Sequence, residues 1–132
     1  MTLYVDASAV VKLYVEEPES KDAARHLRGQ WTSGRHTLVE VRRALARALS
    51  GPELEAARDR FAADWDRTSV VELDAGVCER AAGLAESTSV RSLDALHLAA
   101  AELLGSSELR FVTFDHRLAE AVRSHGWEVL GV

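Results

Sequence analysis

Apolar positions along this chain change their period several times, and the changes outline its elements. Residues 3–5 (LYV) are consecutive apolar positions with two strong β-formers, which predicts a strand over 3–6. Small residues follow at Ala7, Ser8 and Ala9; Val10, Val11, Leu13, Tyr14 and Val15 then predict a helix over 8–15. The turn EEPES leads into a helix over 19–28, with Pro18 near its start and Gly29 just past its end. Residues 30–33 (QWTS) make a short candidate strand. Leu38, Val41, Leu45 and Leu49, three or four apart, predict a helix over 35–50. Gly51-Pro52 ends it and opens another to about residue 66, with Leu54, Ala57, Phe61 and Trp65 on one face. A third strand is expected over 68–73 (TSVVEL), followed by helices over 75–87 and 92–104. A fourth strand over 109–114 (LRFVTF), a helix over 115–124 and a last strand over 127–130 (WEVL) complete the series.

Strands separated by roughly 10–30 helical residues read as parallel βαβ units. The expected class is therefore α/β: one domain over residues 1–132, with a central, mostly parallel sheet of four to five strands flanked by helices. A chain of 132 residues, 47% hydrophobic and 28% charged, is of ordinary globular composition and buries about two-thirds of its unfolded surface. No apolar run approaches the roughly 20 residues that span a bilayer. The N-terminus lacks a basic segment and Asp6 interrupts its apolar run, so it is not read as a signal peptide. Cys78 is the single cysteine, which excludes an internal disulfide and suits a reducing, cytoplasmic setting. Its neighbours Val77, Ala81, Ala82 and Ala85 place it in the expected core.

The net charge of −5 argues against binding nucleic acid through bulk charge alone. Lysine occurs only at positions 12 and 21, so 14 of the 16 basic residues are arginines. Arginine suits bidentate contacts to phosphate, although a plain compositional preference accounts for the excess equally well.

Four acidic residues change the picture. Asp6 and Asp115 each end a predicted strand, and parallel strands present their carboxyl ends at one sheet edge, where open α/β sheets bind ligands. Asp94 opens the helix over 92–104, and Glu40 lies early in the helix that follows the second strand. Each also has a local explanation. Asp6 and Asp115 can cap helices for about 1 kcal/mol. Asp94 can serve a helix dipole, worth about 0.3–1 kcal/mol. Glu40 can pair with Arg43 and Arg47 along its own helix for a few tenths of a kcal/mol. One edge collecting all four favours a shared role. Two carboxylates about 4 Å apart repel by roughly 4 kcal/mol at an effective dielectric near 20. Such a group must bind a cation, share protons or spread apart. Oxygen-only donors select hard divalent ions, Mg²⁺ or Mn²⁺, which also coordinate phosphate.

These stretches, VDASAVVKLYVEEPES, TSGRHTLVEVRRALAR, SLDALHLAAA and FVTFDHRLAEA, together resemble the PIN domains, and among them the VapC-type toxins of bacterial toxin–antitoxin pairs. The resemblance spans the whole chain and rests on the order Asp, Glu, Asp, Asp with its contexts D-A-S, D-A-L-H-L-A and T-F-D-H-R-L. It implies a PIN fold, an endoribonuclease dependent on Mg²⁺ or Mn²⁺, a homodimer and a cognate antitoxin. It also implies Asp6 and Asp94 as principal metal ligands, with Asp115 binding directly or through water and Glu40 completing the acidic pocket. Ser8 and Thr113 would hydrogen-bond within the site, Thr113 being equally explicable as a β-branched strand residue. His97 is expected as a buried structural histidine, and His116 has no assigned role. Arg35, Arg42, Arg117, Arg43 and Arg47 are candidate contacts to RNA phosphate. The expected reaction is hydrolysis of an RNA phosphodiester by water activated at the ion, leaving 5′-phosphate and 3′-hydroxyl ends.

Other classes fit less well. Haloacid-dehalogenase-like phosphatases need a second Asp at position 8, which is Ser, and a late lysine, which is missing after Lys21. Receiver domains need that lysine too. A dinucleotide-binding fold needs a glycine-rich turn after the first strand, and residues 6–11 contain no glycine. A PIN-like domain that only binds RNA or protein is the non-enzymatic alternative, disfavoured by the presence of all four acids. The apolar excess of Val10–Val15 leans towards an interface with a partner.

Overall fold

The computed structural model describes residues 2–105 and 107–132. Its five strands are β1 (Thr2–Val5), β2 (Thr32–Gly34), β3 (Ser69–Val71), β4 (Leu109–Thr113) and β5 (Glu128–Gly131). They form one sheet in the order β3-β2-β1-β4-β5, with every pairing parallel. The chain builds outwards from β1 to β3, then returns across the sheet to β4 and β5. The order therefore reverses between β1 and β4. At such a switch point the flanking loops diverge and leave a crevice outside the strands' carboxyl ends. Val5 pairs with Val112 in that register, so the residues after β1 and β4 emerge side by side.

Alternation along the strands fills a core on each face of the sheet. Leu3, Val5 and Val112 join Ala9, Val10, Val41, Leu45, Phe61 and Trp65 on one face. Those partners come from α1 (Ala7–Val11), α3 (Thr37–Ala48) and α4 (Gly51–Asp66), and α2 (Ser20–His26) adds Ala23. Tyr4 and Phe111 point the other way, into a core made with α5 (Ala75–Ser87), α6 (Ser92–Leu103) and α7 (His116–Ser124). No helix among the described residues is long and apolar enough to cross a membrane.

Three local expectations are corrected. The helix expected over 8–15 closes at Val11, because the amides of Lys12, Leu13 and Tyr14 bond to carbonyls three residues back and tighten the chain into turns. Its apolar excess is taken up internally: Val10 and Tyr14 are buried, and Val11, Leu13 and Val15 pack against the same core. Cys78 is exposed, since the buried stripe of α5 runs through Val77, Ala81 and Leu84 and leaves it off to one side. The second strand lies at Thr32–Gly34 rather than 30–33; Trp31 instead plugs the core and bonds its indole N–H to the Leu27 carbonyl at 2.8 Å.

Candidate active site at the carboxyl edge

Asp6 leaves β1 in extended conformation and caps α1, accepting the Ala9 amide on Oδ1 at 3.1 Å. It is only 4% exposed, so its other bonds are made inside the protein. The Thr113 hydroxyl donates to Oδ2 at 2.8 Å and accepts the Asp115 amide at 3.1 Å. The Ser8 hydroxyl lies 2.8 Å from Oδ1 and accepts the Phe114 amide at 2.9 Å. Each hydroxyl thus takes a backbone proton from the turn after β4 and gives its own to Asp6. Ser8 also comes within 3.0 Å of Oδ2, so its proton is shared between the two oxygens and each of them meets two donors. Burial raises the Asp6 pKa, with the nearby His97 ring and these donors acting against it.

Asp115 caps α7 with Oδ1, accepting from the amides of Arg117 and Leu118 at 2.9 and 3.2 Å. Its Oδ2 meets the Arg91 guanidinium at 2.8 Å. The same guanidinium donates to Asp94 Oδ2 at 2.9 Å, so one arginine holds two of the acids. Burial raises the Asp94 pKa against the pull of Arg91, and the Asp115 charge adds to the rise. Burial pushes Asp115 the same way, but the amides and Arg91 together bring it below the usual range. Capping and site membership therefore coexist: Asp6 and Asp115 each give Oδ1 to a helix amide, while Oδ2 is held by Thr113 in the first and by Arg91 in the second.

Glu40 makes no pair with Arg43 or Arg47, which are exposed elsewhere on α3. It receives the His97 ring, Nε2 lying 2.9 Å from Oε1, and His36 Nε2 stands 3.8 Å from the same oxygen. Burial raises its pKa, with the nearby Asp115 charge reinforcing the rise. His97 is 1% exposed, and burial lowers its pKa, so the ring is neutral. Its Nδ1 lies 2.7 Å from the Tyr4 hydroxyl, which also accepts the Gly34 amide at 3.0 Å. Burial raises the Tyr4 pKa, so the phenol keeps its proton and donates it to Nδ1; Nε2 then carries the imidazole proton and donates it to Glu40. His36, buried beside His97, has its pKa lowered to about 4, first by burial and then by the His97 ring.

The four acids therefore gather at one end of the sheet: the Asp115 charge acts on Glu40 and Asp94, and the charges of Asp6 and Asp94 act on His97, which is bonded to Glu40. Asp6, Asp94 and Asp115 are carboxylate donors that suit a hard ion, which takes one or two carboxylates directly and keeps its waters. They do not form a closed cage. Among the described residues, the three-member group whose ligand atoms lie within 4.8 Å of one another is His36, Glu40 and His97. Of the arginines, Arg35 pairs with Glu72 on the outer edge, Arg42 is exposed on α3, and Arg117 lines a 340 Å³ cavity together with Arg91 and Asp94. Sequence reasoning missed Arg91 and His36. Arg91 stands three residues before Asp94, a spacing that puts the two on one helix face. His36 directly follows the second strand, at the edge where the acids were expected.

The sequence model of the PIN domain matches residues 3–123, and the chain belongs to that family. It is 37% identical over 130 residues to Ribonuclease VapC46 of Mycobacterium tuberculosis, covering 97% of this chain and 95% of the relative. Its fold matches that of the crystal structure of Mycobacterium tuberculosis VapC20, a Sarcin-Ricin loop cleaving toxin, with a TM-score of 0.74 at 19% identity over 91% of this chain and 95% of that one. A toxin–antitoxin complex from Klebsiella pneumoniae contains a similar chain, with a TM-score of 0.71 at 18% identity over 98% and 96%.

Proposed function

We propose that this chain is a metal-dependent endoribonuclease and the toxin of a toxin–antitoxin pair. The observation that carries the reading is the gathering of Asp6, Glu40, Asp94 and Asp115 around His97 and Arg91 at the strand-order switch. The names of its full-length relatives, which are ribonucleases, support it. Asp6, Asp94 and Asp115 would hold Mg²⁺ or Mn²⁺. Bound there, the ion lowers the pKa of a water and neutralises charge developing on the scissile phosphate.

The chain's own groups prepare the rest. Ser8, Thr113 and the Ala9 amide fix the Asp6 carboxylate, so its orientation costs little when substrate arrives. Arg91 offsets part of the charge on Asp94 and Asp115, and Arg117 on the cavity rim supplies a cation to RNA phosphate. Glu40, its pKa raised by burial and its carboxylate held by His97, would serve as the proton acceptor for the attacking water. Arg42 contributes to RNA binding from α3, whereas the Arg35–Glu72 pair would have to open first. The family resemblance adds a homodimer, a cognate antitoxin, cytoplasmic action and products with 5′-phosphate and 3′-hydroxyl ends.

The test is cleavage of total RNA by purified, antitoxin-free protein with Mn²⁺, with Mg²⁺ or with EDTA. Cleavage is expected with either ion and not with EDTA, and Asp6→Ala or Asp94→Asn should lower it at least 100-fold, in line with losing a metal ligand or the ion's charge stabilisation. Full activity of Asp94→Asn at saturating Mg²⁺ would remove that residue from the ligand set. No cleavage by folded protein, with no heat of Mn²⁺ binding, would leave a domain that only binds partners.

A further inference from the structure

We propose that His36, Glu40 and His97 form a second cation site, specific for a borderline divalent ion such as Zn²⁺, adjoining the aspartate pocket but using none of its aspartates. The ligand atoms already converge. His97 Nε2 and His36 Nε2 lie 2.9 and 3.8 Å from Glu40 Oε1, and all three groups offer atoms within 4.8 Å of one another. Tetrahedral zinc with bonds near 2.0–2.1 Å sets its ligand atoms about 3.3 Å apart, between those two distances. Two imidazoles and one carboxylate are a donor set for zinc with a fourth position open to water, and imidazole discriminates against Mg²⁺.

His36 is the observation that points to a ligand. The residue is 8% exposed, and neither ring nitrogen makes a hydrogen bond of ordinary geometry, the Leu93 backbone acting on the ring only weakly. Buried imidazoles are ordinarily satisfied, so one set against two other ligand groups without a well-formed hydrogen bond points to something that binds there. Its seat is specific. The ring packs on His97 at 4.0 Å between centroids, and a Cβ on Gly34 would come within 2.7 Å of His36 Cε1 and 2.8 Å of Nδ1. His97 has its outer partner in place: when Nε2 takes the ion, the imidazole proton moves to Nδ1 and is donated to the Tyr4 hydroxyl 2.7 Å away. No net proton is lost in that tautomer change. Entry is from the Glu40 side, whose side chain is 26% exposed. The site shares Glu40 with the acidic pocket, and its existence does not require that the chain cut RNA.

The probe is Co²⁺ or Zn²⁺ alone, added to untagged, EDTA-stripped protein carrying Cys78→Ser, so that the exposed thiol takes no metal. Calorimetry should give one tight zinc site, and Co²⁺ should develop the strong visible absorption of a four-coordinate ion. Asp94→Asn should leave both signals intact, and His36→Gln should weaken zinc at least tenfold. X-ray absorption of the zinc-loaded protein, which needs no variant, should show imidazole scattering from two histidines. Equal zinc affinity in His36→Gln, loss of binding in Asp94→Asn, or a first shell without imidazole would each overturn the proposal.

Discussion

The Asp6 carboxylate serves two structures at once. Oδ1 closes the first turn of α1, and Oδ2 is held by Thr113 and Ser8 at the strand end that lines the crevice. A cap and a ligand had looked like competing explanations because sequence shows that an acid precedes a helix, not how its two oxygens divide. The two roles separate by mutation. Asn caps as well as Asp, whereas Ala does not. Burial raises the Asp6 pKa, so above the ordinary carboxylate range its ionised form opposes folding, and a neutral isostere removes that opposition. Metal-free Asp6→Asn at pH 7 should therefore be within about 1 kcal/mol of the parent by urea unfolding, and Asp6→Ala about 1 kcal/mol below Asp6→Asn. Both should lack metal-dependent cleavage. An Asn variant as unstable as the Ala variant would show that the cap contributes nothing. Glu40 shows where reading by sequence stops at this scale. Neighbours three or four residues along a helix are visible in sequence, and Arg43 and Arg47 were the natural partners. The real one, His97, is 57 residues away and reaches Glu40 only because α3 and α6 both begin at the same sheet edge.

Elements were legible wherever a period repeats. The amphipathic stripe of α3, the Gly-Pro start of α4 and the strand-helix alternation all carry through to the fold. What period alone does not convey is where an element stops and what its ends touch. Val10–Val15 look helical by composition, yet α1 closes after five residues and the remainder turns back onto the core. Cys78 matches small apolar neighbours in composition and misses the buried stripe by one position. The edge strands matter for the same reason, because β5 braces the strand that presents Thr113. Gly131 pairs with Thr113 at φ +111°, and a Cβ there would fall 2.2 Å from the Thr113 carbonyl oxygen. That neighbour is backbone and cannot step aside without moving the end of β4. Gly131→Ala should thus cost about 1–3 kcal/mol for the left-handed conformation and the clash. It should also lower metal affinity although it touches no ligand, because it displaces the hydroxyl that orients Asp6. Calorimetric Mn²⁺ titration of the folded variant checks this. Unchanged affinity beside reduced stability would show that the sheet edge and the site are mechanically independent.

Across the whole molecule the net charge is −5, and at the edge where Asp6, Glu40 and Asp94 meet the folded state resists ionisation. Burial raises the pKa of Asp6, Glu40 and Asp94 alike. The sign follows directly. A carboxyl whose folded pKa exceeds its unfolded value stabilises the fold at pH below the unfolded value, and that stability is lost as pH rises through the folded one. At neutral pH the metal-free protein therefore carries carboxylates whose charge opposes folding, with Arg91 compensating Asp94 and Asp115 only in part. A divalent cation acts in the opposite direction. It binds the ionised acids of the folded chain, and at 100 times its dissociation constant stabilises that chain by about 2.7 kcal/mol. For a domain of this size that corresponds to a rise in melting temperature on the order of 10 °C. Protons compete for the same oxygens, so the rise should be larger at pH 7.5 than at pH 5. Thermal melts with and without Mn²⁺ at both pH values measure it, and Asp94→Asn should reduce the gain at pH 7.5. An increment equal at the two pH values would mean that the ion rests on groups already ionised at pH 5, such as Asp115 with its lowered pKa, and that the buried acids take no part in holding it.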